Sequence, residues 1–480
     1  MLLASAILLT STLIVSYRFQ MIGNITAGPE DPLEAWSELS YIVWKYNSTH
    51  YAVRNMSTLL VDFLGTNATA IITSAIDNAE NKSIFLKDGY YDLDSSIIIT
   101  HSIAIYGEHS SNTLPSVQAD YIPSHLYGTV LRTSQNIDVL VFSGSVFNVV
   151  VKNIGIEFTG ASTGSGLKVY NPNSPSADSY AITYGIFEDI AVLNNDGDSY
   201  AFYFENTVHI EGTLLRSWGG LFFYYGTNDY DCQYGNAVFN ELYCYVTKVC
   251  SNNIFFVNAI TSDGSSLNVT GLMQFNRVQI NAGTEVVTDP YAALFLNRTH
   301  DTTFIALDIE CPVEYVIIIK SQSRSITFIN PYLWSTHADS IIYADVDCKA
   351  ITFIEGWYDI KKIQLASYPN AMINPHWTVG YMPTFYIYTT WLLIENYTIA
   401  TQSCAYDHTA LSGTTSTWVA FAIAGVSFNQ PDNHYGVLVT PHWNTDECWV
   451  DNKTTTGFTF HYTVTGSDET FDWFVFRRPW

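Results

Sequence analysis

Two glutamates, Glu188 and Glu211, are the side chains in this chain best spaced to do chemistry. Each falls one residue after the start of a phrase that recurs along the middle of the chain, with apolar residues at positions 0, +3 and +5. If successive phrases stack as parallel strands about 4.8 Å apart, equivalent carboxylates stand close to the ~5–5.5 Å of a retaining glycosidase. Two phrases apart they approach the inverting spacing. Asn240 and Asn276 follow at +1 of the next two phrases, and Asn153, Asp189 and Asn330 fall at +2. A plainer reading of this polar run is the better one. Positions +1 and +2 form a bend between strands, where Asn, Asp and Gly supply left-handed backbone and side-chain ladders.

Other groupings do not assemble a site. Asp407-His408 has no matched nucleophile, and Asn194-Asn195-Asp196-Gly197-Asp198 lacks a downstream acidic ligand at EF-hand spacing. The seven cysteines show no CxxC pair, and the twelve histidines are scattered singly. Neither a metal nor a cofactor is expected, and the chain reads as built to bind rather than to catalyse. The candidate ligand-binding residues are Trp218, Tyr224, Tyr225, Asp229, Tyr230 and Asp231, with Asn228 and Tyr234 beside them. Aromatic faces stack on the C–H faces of sugars while short amides and carboxylates read hydroxyls. The alternative is a set of core and coil-edge tyrosines around Cys232.

These residues need elements to hold them. The phrase runs Val151/Ile154/Ile156, Phe187/Ile190/Val192, Ile210/Thr213/Leu215, Phe239/Leu242/Cys244, Phe275/Val278/Ile280, Phe304/Leu307/Ile309, Phe328/Pro331/Leu333 and Phe353/Gly356/Tyr358. Steps near 23 residues, lengthened where loops are inserted, are those of a solenoid, and +3/+5 alternation puts both side chains inside. A sandwich would show hairpin turns at short, even spacing instead.

The entry to this region resembles that of pectate-lyase-like β-helix proteins, notably viral tailspikes. A helical pattern at 68–79 precedes IFLKDGYYDL, then SIIIT, IAIYGE and GTVLR at 128–132. The order capping helix, strand, "pGtY" turn, Ile-rich strand and "I-x-I-x-G" strand matches over about 65 residues. The resemblance implies an all-β chain, a right-handed single-stranded parallel β-helix, often trimeric. That family includes polysaccharide lyases and glycoside hydrolases, yet the "NTD", "G-H-G" and "R-I-K" motifs and the lyase arginine pair are missing. Trp443 to Phe460 and Phe471-Asp472-Trp473 resemble a C-terminal module of viral tail fibres and appendages.

The expected organisation is therefore as follows. Residues 1–17, without a charged side chain, are a signal peptide or membrane anchor, and 18–65 a helical stalk. Within the stalk, 31–46 reads as a helix capped by Asp31, Pro32 and Glu34, and 51–64 as a second. Residues 66–365 form the β-helix, 366–392 a crossover segment and 393–480 a β-sandwich. Export agrees with nine glycosylation sequons, at Asn24, Asn47, Asn55, Asn67, Asn81, Asn268, Asn297, Asn396 and Asn452. It also agrees with Cys404 and Cys448, alone in the last segment and a natural disulfide pair.

A net charge of −25 with only 14% charged residues leaves nothing to neutralise phosphates, so nucleic acid is excluded as a partner. The same charge repels polyuronates. The sequence thus points to an exported appendage, on a virion or cell surface, that binds a glycan or receptor. A glycan-degrading enzyme and a structural coat or filament protein are the alternatives.

Overall fold

The computed structural model describes residues 39–365 except for 80–81, 110–122, 161–162, 172–180, 198, 228–235, 251, 260–269 and 283–291; beyond 365 it describes separate strands. The first elements correct the expected helical stalk. β1 (Leu39–Lys45), β2 (Tyr51–Asn55) and β3 (Val61–Gly65) pair antiparallel in chain order. Tyr41 and Val43 alternate inward along β1, a period of two that overrides the helical spacing of the same apolar residues. The Asp31, Pro32 and Glu34 cap lies outside the described residues.

α1 (Ala68–Asn78) is the helix expected ahead of the coils. Asn67 caps it, its Oδ1 accepting from the Ala70 N–H at 2.9 Å. Ile72, Ala75 and Ile76 are buried and close the end of the core, which would otherwise meet water.

Behind α1 the chain winds as a parallel β-helix with two sheets. One carries long strands, such as Val146–Phe158, Ile182–Leu193, Thr207–Gly219, Ala237–Val246, Thr270–Ala282 and Thr299–Glu310, each parallel to the next. The other carries short strands from Ile97–Ile99 to Thr384–Phe385, also parallel throughout.

Position 0 is a ladder inside the coil. The rings of Phe239, Phe275, Phe304, Phe328 and Phe353 stack at 5.3, 4.8, 5.2 and 4.5 Å between centroids, tilted by 12° or less. Each fully buried ring contributes roughly 1.5–3 kcal/mol. Positions +3 and +5 are inward too, from Ile154 and Ile156 to Leu333 and Tyr358, and Pro331 and Gly356 at +3 of the last two phrases are also buried.

One phrase shifts. Phe187 is in register with Gly212, not Ile210, so the third phrase is Gly212/Leu215/Ser217. A Cβ on Gly212 would lie 2.3 Å from Cδ1 of Phe239, so the ring of the next coil fills the space a side chain would take. With no apolar residue at position 0, the sequence pattern slides onto Ile210, two residues back on the same inner face.

Two bends flank the ladder. At +2, Asn153, Asp189, Leu214, Glu241, Arg277, Ala306, Asn330 and Glu355 all have φ between 49 and 59°. At −3, Asn148, Tyr184, His209, Asn236, Leu272, Asp301, Ser325 and Ala350 are also left-handed. The bend expected at +1 and +2 is therefore +2 alone, and +1 lies on the sheet.

The coils continue past the expected boundary. Asn370–Ile373 pairs parallel to Lys349–Ile354, Leu392–Glu395 to Asn370–Ile373, and Thr398–Ile399 to His376–Trp377. The segment read as a crossover thus carries further coil strands. Beyond it the strands are antiparallel: Ser416–Ala420 and Cys448–Asp451 flank Gly457–Tyr462, and Tyr435–Pro441 pairs with Phe471–Arg477. The Cys404–Cys448 pairing and residues 1–38 lie outside the described residues. Among the described residues no helix is long and apolar enough to cross a membrane.

Candidate carbohydrate-binding face

Past the +2 bend each long strand runs on, and alternation sends +4 and +6 outward while +3 and +5 stay in the core. Because the coils are in register, these outward positions form two parallel lanes. The first is Arg216, Tyr243, Gln279, Asp308, Tyr332 and Trp357. The second is Trp218, Tyr245, Asn281, Glu310, Trp334 and Asp359. Every rung from Tyr243/Tyr245 onward is aromatic, amide or acidic.

The lanes open along the coil. Glu157, at +6 of the first phrase, is buried and accepts from the Leu126 N–H at 2.9 Å, with His125 Nδ1 also 2.9 Å from it. This brings the segment carrying Leu126 over the early rungs, where Leu126, Val130, Ala191, Leu193, Trp218 and Tyr243 form a small apolar cluster. Arg216 is buried and ion-paired with Asp189 of the preceding coil, and burial lowers its pKa. Further along, Tyr332 and Trp357 are 38% and 41% exposed.

The middle of the face is rich in acceptors that lack donors. Oδ1 of Asp308 and Oδ1 of Asn281 are buried and make no hydrogen bond. Burial, and then the charge of Glu310, push the Asp308 carboxyl up to about 7. Trp218 Nε1 is a buried donor likewise left without an acceptor. Neither lane carries a lysine or arginine from Tyr243 to Asp359, and Lys361 lies 3.8 Å from Asp359 at their end. Asp308 and Glu310 are two residues apart on one face, which sets their β-carbons about 6.7 Å apart.

The residues singled out from sequence are dispersed. Glu188 stands at +1, half-exposed, paired with Lys152 at 2.5 Å. Glu211 is at −1, in register with Ile186 and Val238, so the two glutamates share no column. Trp218 belongs to the second lane. Tyr224 and Tyr225 lie in the short-strand sheet: Tyr224 stacks on Tyr203 at 4.5 Å, and Tyr225 donates inward to the Thr207 carbonyl at 3.2 Å. Asp229, Tyr230 and Asp231 lie outside the described residues. Of the sequons, Asn47 sits on the exposed β1–β2 turn, Asn55 ends β2 half-buried and accepts from the Ser57 N–H, Asn67 caps α1, and Asn297 donates to Asn258 at 2.7 Å. Asn24, Asn81, Asn268, Asn396 and Asn452 lie outside the described residues. The four cysteines Cys244, Cys250, Cys311 and Cys348 are buried thiols.

The lanes were written in the same phrase that revealed the coils. Tyr243/Tyr245, Gln279/Asn281, Asp308/Glu310, Tyr332/Trp334 and Trp357/Asp359 are its +4 and +6 positions, and reading only +1 and +2 for polar residues passes over them.

By its sheets and its stacked core the chain is a parallel β-helix protein. No family model and no curated protein matches its sequence. Among solved structures, ORF18 of Geobacillus virus E2 is similar at 14% identity and TM-score 0.38, over 84% of this chain and 74% of that one. The A-module of an Azotobacter vinelandii mannuronan C-5 epimerase is similar at 12% identity and TM-score 0.37, over 70% of this chain and 96% of that one. A tailspike of the Acinetobacter baumannii bacteriophage Fri1, described as a capsular polysaccharide depolymerase, gives 9% and 0.26 over 85% and 82%. Likeness at this level carries no functional argument, which rests on the side chains of the two lanes.

Proposed function

We propose that the chain is a surface appendage, on a virion or a cell, that binds a glycan along the two outward lanes. The observation carrying this reading is the run Tyr243/Tyr245 to Trp357/Asp359, in which aromatic rungs bracket amides and carboxyls. Aromatic rings offer apolar faces to sugar C–H groups, and planar acceptors take hydroxyl hydrogens. A glycan array probed with the parent and a Tyr332→Ala/Trp334→Ala variant tests it. Binding by the parent and its loss in the variant support the reading; a parent that binds no glycan refutes it.

A second reading, hydrolysis, is favoured by one observation. Asp308, holding its proton up to about pH 7, has the character of a general acid, and Glu310 that of a base. The two carboxyl side chains leave the same strand face two residues apart, so both can reach one bound sugar. In such a step Asp308 protonates the leaving oxygen and Glu310 takes a proton from the attacking water. Release of reducing ends from a bound polysaccharide, abolished in Asp308→Asn, supports this; its absence leaves a binding protein.

A further inference from the structure

We infer that the glycan taken by this face is a polymer of amino sugars, held by a protonated amine seated among Asp308, Glu310 and Asn281. The inference rests on the glycan-binding reading above and specifies its substrate class.

The centre of the face asks for donors. Asn281 is 3% exposed, it occupies the second lane in direct register with Glu310, and its Oδ1 has no hydrogen-bond partner. An unmet buried acceptor costs about 1–3 kcal/mol, so its retention points to a ligand atom that brings a hydrogen. Oδ1 of Asp308, one lane across, is unmet in the same way. Two orphaned acceptors with the Glu310 carboxylate make a patch of one polarity. A uronate would add a third carboxylate there and be repelled. A hydroxyl satisfies one acceptor, whereas an ammonium carries three donors and a charge.

The charge balance agrees. Between Tyr243 and Asp359 the lanes hold three carboxyls and no basic residue of their own. Lys361 stands 3.8 Å from Asp359, at the far end. The next coil places Tyr332 beside Asp308 and Trp334 beside Glu310, so aromatic faces flank the acidic centre. Such faces favour a cation over a neutral group.

The raised Asp308 pKa yields a second signature. An ammonium beside the carboxyl reverses the repulsion from Glu310 and draws the proton off. Binding of the amine form near pH 6 therefore releases a proton.

The test compares two oligosaccharides of equal length, de-N-acetylated and fully N-acetylated chitin hexamers, with an oligomannuronate as the anionic control. Affinity and proton release are measured calorimetrically on the full chain at pH 6, in two buffers of different ionisation enthalpy. The inference predicts that the amine form binds about tenfold or more tightly than the acetylated form, with proton release, and that the uronate does not bind. In Asp308→Asn/Glu310→Gln, checked for folding by thermal denaturation, the ratio of the two affinities falls to about one. Equal affinities in the parent, or a preference for the uronate, overturn the inference while leaving glycan binding intact. Failure to bind any glycan on a broad array overturns both readings.

Discussion

Asp308 and Glu310 stand two residues apart on one outward strand face, and the charge of the second helps hold the proton on the first up to about pH 7. The Asp308 carboxyl is thus raised above its unfolded value of 3.8, so the folded state binds a proton that the unfolded state has lost. The sign follows: its contribution to stability is present at low pH and declines as pH rises from about 4 to about 7. Part of the full shift is screened by water at this partly buried site, leaving of order 1–2 kcal/mol. Denaturation of the parent and of Asp308→Asn should show their stability difference changing by that amount between pH 4 and 8. A constant difference would show that Asp308 titrates as an ordinary carboxylate.

Gly212 is held by the ring of Phe239. An alanine there would place a Cβ 2.3 Å from one ring carbon and 2.7 Å from the next. That ring is itself packed edge-on against Phe223 and flat on Phe275, so it has little room to yield. Gly212→Ala should destabilise by about 1–3 kcal/mol in urea denaturation, with part of the loss recovered in Gly212→Ala/Phe239→Leu. A neutral Gly212→Ala would mean that the third coil is packed differently.

Ala306 and Ala350 occupy the two bend positions with φ of 53 and 55°. Other coils place Asn at these same positions, as at Asn153, Asn330 and Asn148. Asparagine tolerates the left-handed region better than alanine does. Ala306→Asn and Ala350→Asn should each stabilise by about 0.5–1 kcal/mol, read as a rise in the denaturation midpoint. Two destabilised variants would show that the bends lie elsewhere.

What could be read from the sequence divides along the same physical line. The inner columns were legible because burial fixes residue type: Phe275, Phe304 and Phe328 recur where a ring must stack. The phrase failed at Gly212 because there the packing is supplied by a neighbour in space, Phe239, about one coil away in sequence. The −3 bend was illegible because backbone conformation and not side-chain chemistry unites Tyr184, His209 and Leu272. β1 reads as a helix because Leu39, Ile42, Val43 and Tyr46 satisfy a helical period, whereas the strand buries Tyr41 and Val43. The functional lanes are outward, so no packing rule constrains them, and only register between coils brings Asn281 to Glu310 and Glu310 to Trp334. The same register separates Glu188 from Glu211.

The central claim is that the two lanes bind a glycan. Its most direct test is the affinity for the best array ligand, measured for the parent, for Tyr332→Ala, for Trp334→Ala and for a Glu188→Gln/Glu211→Gln control. Each aromatic truncation should weaken binding by about 2 kcal/mol, more than tenfold, and the control should bind as the parent does. Unaltered binding by both aromatic variants, or loss confined to the Glu188/Glu211 control, would contradict the account.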